Sequence, residues 1–181
     1  MATWYCDVAQ GHPVHGPFHD NEHGYPLCAD DLLFERLALE IMQAGLSWIT
    51  VLKKREAFRA AFANFDPAIV ADFTDADVER LMADAGIVRN RLKILALINN
   101  AQVILEMRRT HGGFAKWLDS HHPQPKADWL KLFKKTFRFT GGEIVNEFLM
   151  GTGYLPGAHS PACPVGAKIH LLRQSHSGEL R

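Results

Sequence analysis

The chain has 181 residues, 47% of them hydrophobic and 22% charged, which is the profile of one globular domain or of a domain with a small appendage. Whole-chain disorder and coiled coil are excluded. Its 20 Lys and Arg cancel its 20 Asp and Glu, so a nucleic-acid partner must be met by a local patch and not by net charge. No stretch reaches the ~20 apolar residues of a membrane span and the opening does not resemble a signal peptide, so a cytoplasmic monomer without membrane contact is expected.

In chain order, residues 1–30 read as histidine-rich loop. Asp30 or Asp31 caps a helix over 32–44 that is apolar on most sides, hence central and buried, and Gly45 ends it. Ser47 caps a second helix carrying Trp48, Val51, Leu52, Phe58 and Phe62 on one side, with Lys53, Lys54, Arg55 and Arg59 as its wet face. Asp66-Pro67 opens a third helix, and Thr74 with Asp77 opens a fourth that runs to about residue 85. After Gly86 a long fifth helix spans 89–109 with a stripe of Leu92, Leu95, Ala96, Asn99 and Val103. Three shorter helical runs follow at 114–118, 127–135 and 143–150. No strand alternation or internal repeat stands out, so the expected class is all-α. The segment 165–181 has few large apolar residues and is expected to be a flexible tail beyond one domain of residues 1–164.

Three cysteines make a poor disulfide scaffold, and ten histidines are many, so metal ligation is the better first reading of the cysteines. Cys6 and His19 in the first loop, with His159 and Cys163 four apart in the last, make a tetrahedral thiolate and imidazole set suited to one structural zinc. A metal joining the chain ends would also remove loop-closure entropy from the unfolded state. By spacing alone, four unrelated loop residues remain an equal alternative, and His12, His15 and His23 compete as ligands.

The segment Ala85-Gly86-Ile87-Val88-Arg89 has the length and the glycine of a helix-hairpin-helix turn, whose outward N–H groups suit a DNA phosphate. Arg89, Arg91 and Lys93 supply the local cations. A plain αα-hairpin is the bland reading. Gly45-Leu46 places a leucine on a tight turn, either core or a wedge that fills the gap left by an everted nucleotide, and Trp48 starts the next helix. Glu40 is either an exposed i,i+4 partner of Arg36 or a carboxylate facing the mouth made by Trp48.

Cys6, the run Phe18-His19-Asp20-Asn21-Glu22, Leu39-Glu40, the block from Gln43 to Arg55, Asp84-Ala85-Gly86-Ile87 and His159-x-x-x-Cys163 together resemble the bacterial DNA-3-methyladenine glycosylase I family. The resemblance implies a helix-hairpin-helix glycosylase fold whose zinc-holding terminal loops carry Cys6, His19, His159 and Cys163. It implies removal of 3-methyladenine from double-stranded DNA, and the departures from its pattern named below lead to the expectation of a roomier pocket that takes other alkylated purines. Glu40 would contact the base and act in catalysis, Trp48 would stack on it with Phe18 beside it, and Gly45-Leu46 would be the wedge. Gly86, Ile87, Val88 and Arg89 would meet the DNA. Three positions depart from the family pattern: Val8 and His23 stand where it has tryptophans, and Phe18 where it has a tyrosine. Those losses motivate the alternative of a non-catalytic module that recognises damaged DNA. A zinc hydrolase would need an open metal position, which four protein ligands deny.

Overall fold

A computed structural model describes residues 4–178, and every regular element among them is helical. None of these helices is long and apolar enough to cross a membrane. Contacts divide the chain into two compact units, a larger one of Leu27–Phe148 and a smaller one made from the two chain ends.

In the smaller unit, the first segment is not loop: α1 (Tyr5–Ala9) and α2 (His15–Asn21) are short helices. Asp7 accepts the Trp4 N–H at the start of α1, and the His12 ring accepts the N–H groups of Val14 and His15 where α2 begins. Histidine is not among the favoured capping residues, and neither helix reaches two turns, so both lack the periodicity by which helices are recognised. The tail also differs from expectation. Residues 164–178 form α12 (Pro164–Gly178), which starts on a proline and buries Ile169; residues 179–181 lie outside the described residues.

The larger unit is built around α3 (Asp30–Gln43), whose Leu33, Phe34, Leu37, Ala38, Leu39, Ile41 and Met42 are all fully buried. Such all-round burial fits its apolar composition. The cap is Ala29; Asp30 lies inside the first turn and its carboxylate accepts from the Phe114 N–H (2.7 Å) and Arg108 (2.6 Å). The expected second helix is two, α4 (Trp48–Lys53) and α5 (Arg55–Ala61), broken at Lys54. The 3-10 turn Ala63–Phe65, with positive φ at all three residues, leads to α6 (Pro67–Val70), capped by Asp66. A reciprocal Thr74 and Asp77 cap starts α7 (Asp75–Ala83), and Asn90 caps α8 (Arg91–His111) by accepting the Lys93 N–H. α9 (Phe114–His121), α10 (Lys126–Thr136) and the first part of α11 (Gly142–Gly151) gather Phe114, Trp117, Phe133, Phe137 and Phe148 into an aromatic cluster with ring centroids 5.2–6.0 Å apart.

Two sequence expectations fail here for tertiary reasons. The buried stripe of α8 is Ile94, Leu97, Ala101, Ile104 and Met107, while Leu92 and Leu95 face out. A helix that is apolar on several sides does not by itself say which side its neighbours cover. Arg55 and Arg59 are not simply solvated: both pair with the buried carboxylate of Glu35, at 2.8 and 2.7 Å. Burial alone would raise the Glu35 pKa, and the two guanidiniums outweigh it and hold it below the usual carboxylate range.

Candidate functional site

Cys6, His19, His159 and Cys163 converge within the smaller unit. Their four donor atoms all lie within 4.8 Å of one another, an arrangement that could hold a metal ion. Cys163 Sγ is 3.6 Å from His19 Nε2 and 3.5 Å from His159 Nδ1, the two imidazole nitrogens are 3.2 Å apart, and Cys6 Sγ is 3.7 Å from His159 Nδ1. The outer nitrogens are occupied. His19 Nδ1 faces the Asp20 carboxylate at 2.7 Å, and His159 Nε2 faces the His23 carbonyl at 2.8 Å. Such contacts fix which nitrogen each ring turns inward. The Ser160 N–H points at Cys6 Sγ, 3.4 Å away. Gly24 has φ +82°, and a Cβ there would come within 3.1 Å of His159 Nε2, so glycine lets the chain pass close enough to present the His23 carbonyl. The competing histidines are engaged elsewhere: His12 caps α2, His15 Nδ1 meets Tyr5 Oη at 3.0 Å, and the His23 ring packs edge-on to Tyr5 at 5.1 Å. Phe18, also in this unit, is buried against Tyr5 and His23, whereas Val8 is exposed.

In the larger unit, Glu40 is 8% exposed and Arg36 is buried too, which removes the reading of an exposed surface pair. Burial pushes the Glu40 pKa up to about 8; the Arg36 guanidinium opposes the shift and the Glu147 carboxylate adds to it. Glu147, on α11, is a neighbour that sequence spacing could not have revealed, being more than a hundred residues away.

Past Glu40, the chain turns at residues 43–46. Leu46 N–H donates to the Gln43 carbonyl at 2.7 Å, and Gln43 Nε2 donates back to the Leu46 carbonyl at 2.9 Å. Gly45 takes φ +85°, a left-handed conformation that favours glycine. Leu46 is therefore held on a closed turn with 40% of its surface exposed, and it is not core. Trp48 is half-buried at the start of α4.

The hairpin between α7 and α8 is tied to the α4/α5 break, and the start of α8 is tied to this turn. Lys54 donates to the Ala85 and Gly86 carbonyls, each at 3.1 Å. Lys93, 4% exposed, donates to the Met42 carbonyl at 3.0 Å and to the Ala44 carbonyl at 2.6 Å. Lys93 is thus a tether, not a surface cation, and Arg91 pairs with Glu79. Of the three expected cations, Arg89 remains exposed without a carboxylate partner among the described residues. The Gly86 N–H is spent on Asp84 Oδ1 at 2.7 Å, and the Ile87 side chain is buried. Among the described residues, the backbone N–H groups of Val88 and Arg89 have no acceptor.

Lys93→Met is expected to cost roughly 2 kcal/mol, because the buried carbonyls of Met42 and Ala44 lose a charged donor. Urea unfolding at unchanged m-value measures it, and a variant as stable as the parent would show that the tether holds nothing.

Described residues that are helical in every regular element, with a tethered helix-hairpin-helix turn, a leucine on a closed turn after a buried carboxylate, and a Cys2His2 cluster, are of the helix-hairpin-helix DNA glycosylase class. The methyladenine glycosylase family model matches residues 8–130, more than half of the chain. DNA-3-methyladenine glycosylase 1 of Escherichia coli is 41% identical, covering 87% of this chain and 94% of that protein. DNA-3-methyladenine glycosylase of Haemophilus influenzae is 40% identical, over 90% of this chain and 97% of that one. A crystal structure of a variant of 3-methyladenine DNA glycosylase I in complex with 3-methyladenine superposes with a TM-score of 0.79 at 37% identity, covering 87% of this chain and 95% of that chain. The chain belongs to the methyladenine glycosylase family.

Proposed function

We propose that the protein hydrolyses the N-glycosidic bond of 3-methyladenine in double-stranded DNA, a base-excision step of alkylation repair, and that it accepts other alkylated purines. One observation carries the reading within the established family: the buried Glu40 lies in the last turn of α3, six residues before the exposed Leu46 and eight before Trp48. In this reading the N–H groups of Val88 and Arg89, at the start of a long helix, hold DNA phosphates, with Gly86 letting the turn pack closely on Asp84 and Ala57 and Ile87 anchoring it from inside. Leu46 fills the gap left by the everted nucleotide.

An N3-alkylated adenine is cationic, so its glycosidic bond is already weak and no strong acid is needed to expel it. Trp48 offers the cation a π-face, worth roughly 0.5–2 kcal/mol. Glu40 accepts from the exocyclic amine. Burial pushes its pKa up to about 8, and a cation beside it favours loss of that proton to solvent, leaving a carboxylate that also favours an oxocarbenium-like sugar.

The four-donor cluster is read as a structural zinc site, one ion per chain. Bond lengths of about 2.3 Å to sulfur and 2.0–2.1 Å to nitrogen put the donors of a tetrahedral zinc about 3.3–3.8 Å apart. Spacings of 3.2–3.7 Å in four of the six donor pairs, with all four atoms within 4.8 Å of one another, and the two occupied outer nitrogens support that fit. Bound there, the ion would join the chain ends; with four protein donors it has no open position from which to hydrolyse anything. A cytoplasmic monomer remains part of this reading.

The test is release of free base from methylated duplex DNA. Release of 3-methyladenine, with undamaged adenine retained, is the expected result. Duplex binding without release of any methylated base would overturn the enzyme reading in favour of a damage-recognition module.

A further inference from the structure

Beside the tethered hairpin lies a cleft of about 360 Å³ that none of the roles above uses, within the size range of small-molecule sites. Its walls are Leu92, Leu95 and Ala96 of α8 and the ring of Phe139, with Asn99 and Arg138 as its polar members. Leu92 is 70% and Phe139 40% exposed, an unusual apolar display on a surface helix and turn.

The turn bearing Phe139 is built to present it. Phe139 has φ +59°, a left-handed conformation that is rare and costly for a bulky residue and persists only where the surroundings impose it. The fully buried Asn100 clamps the preceding residue from both sides, accepting the Arg138 N–H at 2.7 Å and donating to the Arg138 carbonyl at 3.1 Å. Thr140 Oγ1 closes the other side on the Phe133 and Phe137 carbonyls. Lys93 Nζ lies 5.7 Å from the Phe139 ring centroid while donating to the Ala44 carbonyl. A single lysine head group therefore stands between this ring and the residue that precedes Gly45 and Leu46. Among the described residues, Arg138 has no carboxylate partner and the Asn99 amide has no hydrogen-bond partner.

An aromatic face, apolar walls, a free amide and an unpaired arginine on the rim are what an unstacked nucleobase and its phosphate require. The reaction frees a base that can be drawn out of the stack, because everting one nucleotide leaves the opposite one without a pairing partner. We propose that the Phe139 cleft receives the unpaired base opposite the everted nucleotide, Phe139 stacking on it, Asn99 bonding its edge and Arg138 meeting its phosphate. This rests on the DNA glycosylase reading and extends it to the second strand.

The test uses two duplexes. One carries an abasic analogue opposite adenine, so that no base enters the Glu40 and Trp48 region. The other carries abasic analogues in both strands, so that no opposite base exists. Phe139→Ala is expected to weaken binding to the first about tenfold, as loss of one aromatic–base contact does, and to leave the second unchanged. Phe139→Leu, which keeps the apolar bulk, should behave like the alanine variant, and Arg138→Ala should lower the salt slope by about one unit on both. Thermal melts that match the parent exclude misfolding at this exposed position. Equal loss on both duplexes, or no loss on either while Arg89→Ala still weakens binding, would overturn the inference alone. So would a change in self-association of Phe139→Ala at unaltered DNA affinity. Failure of the parent protein to bind any duplex would instead overturn the glycosylase reading on which it rests.

Discussion

Replacing Cys163 by alanine is expected to strip the metal, taking bound zinc from about one per chain to near zero. Cys163 Sγ faces both imidazole donors, so its loss leaves three ligands and an open vertex. Structural zinc contributes on the order of 10 kcal/mol to small metal-dependent folds, and here the ion would hold segments some 150 residues apart. The damage should be confined: amide exchange should rise through α1, α2 and the 152–163 loop, while α3 and α8 keep their protection. Chelation of the parent protein should give the same pattern. Metal retained at full stoichiometry in the variant would show that the ion, if any, sits elsewhere.

The second large effect concerns Glu40. Its carboxyl titrates at about 8 in the free protein, and kcat/KM reports the ionisation of groups in the free enzyme. With the carboxylate as the working form, kcat/KM for 3-methyladenine release should fall about tenfold per pH unit below 8 and level off above it. Glu40→Gln should lower the plateau about 100-fold, as loss of one preorganised electrostatic partner does, and abolish the inflection. A parent profile flat from pH 6 to 9 would mean that Glu40 is already ionised and that its burial is relieved in the working protein. Stability follows the same ionisation. A raised folded-state pKa means that this group favours the folded state most at acid pH, below its ordinary value of 4.5, and that the contribution is lost as pH rises through about 8. Urea melts at pH 5 and pH 9 should therefore show a smaller alkaline loss in Glu40→Gln than in the parent.

Sequence by itself determined the all-helical class, the central burial of α3, the helix starts at Thr74 and Asp66, and the cysteine and histidine types from which a metal site could be drawn. Each rests on local chemistry: periodicity, capping side chains, and residue types that have few alternative uses. The block Gln43 to Arg55 also carried the family resemblance without any geometry. What only the tertiary structure decided is how neighbouring chemistry was allotted. Lys93 and Arg89 look alike in a sequence, but one ammonium is buried on the carbonyls of Met42 and Ala44 and the other cation stays in water. His12, His15, His19 and His23 sit within twelve residues of one another, and only His19 turns a ring nitrogen toward the cysteines. The Glu40 pKa is pushed up to about 8 because residues far away in the chain bury it and bring Glu147 near. The helical tail, the outward face of Leu92 and the left-handed Phe139 are of the same kind. Burial, and hence the cost of a charge or the exposure of an apolar face, is set by what packs alongside, and contacts between residues distant in sequence leave no trace in local pattern.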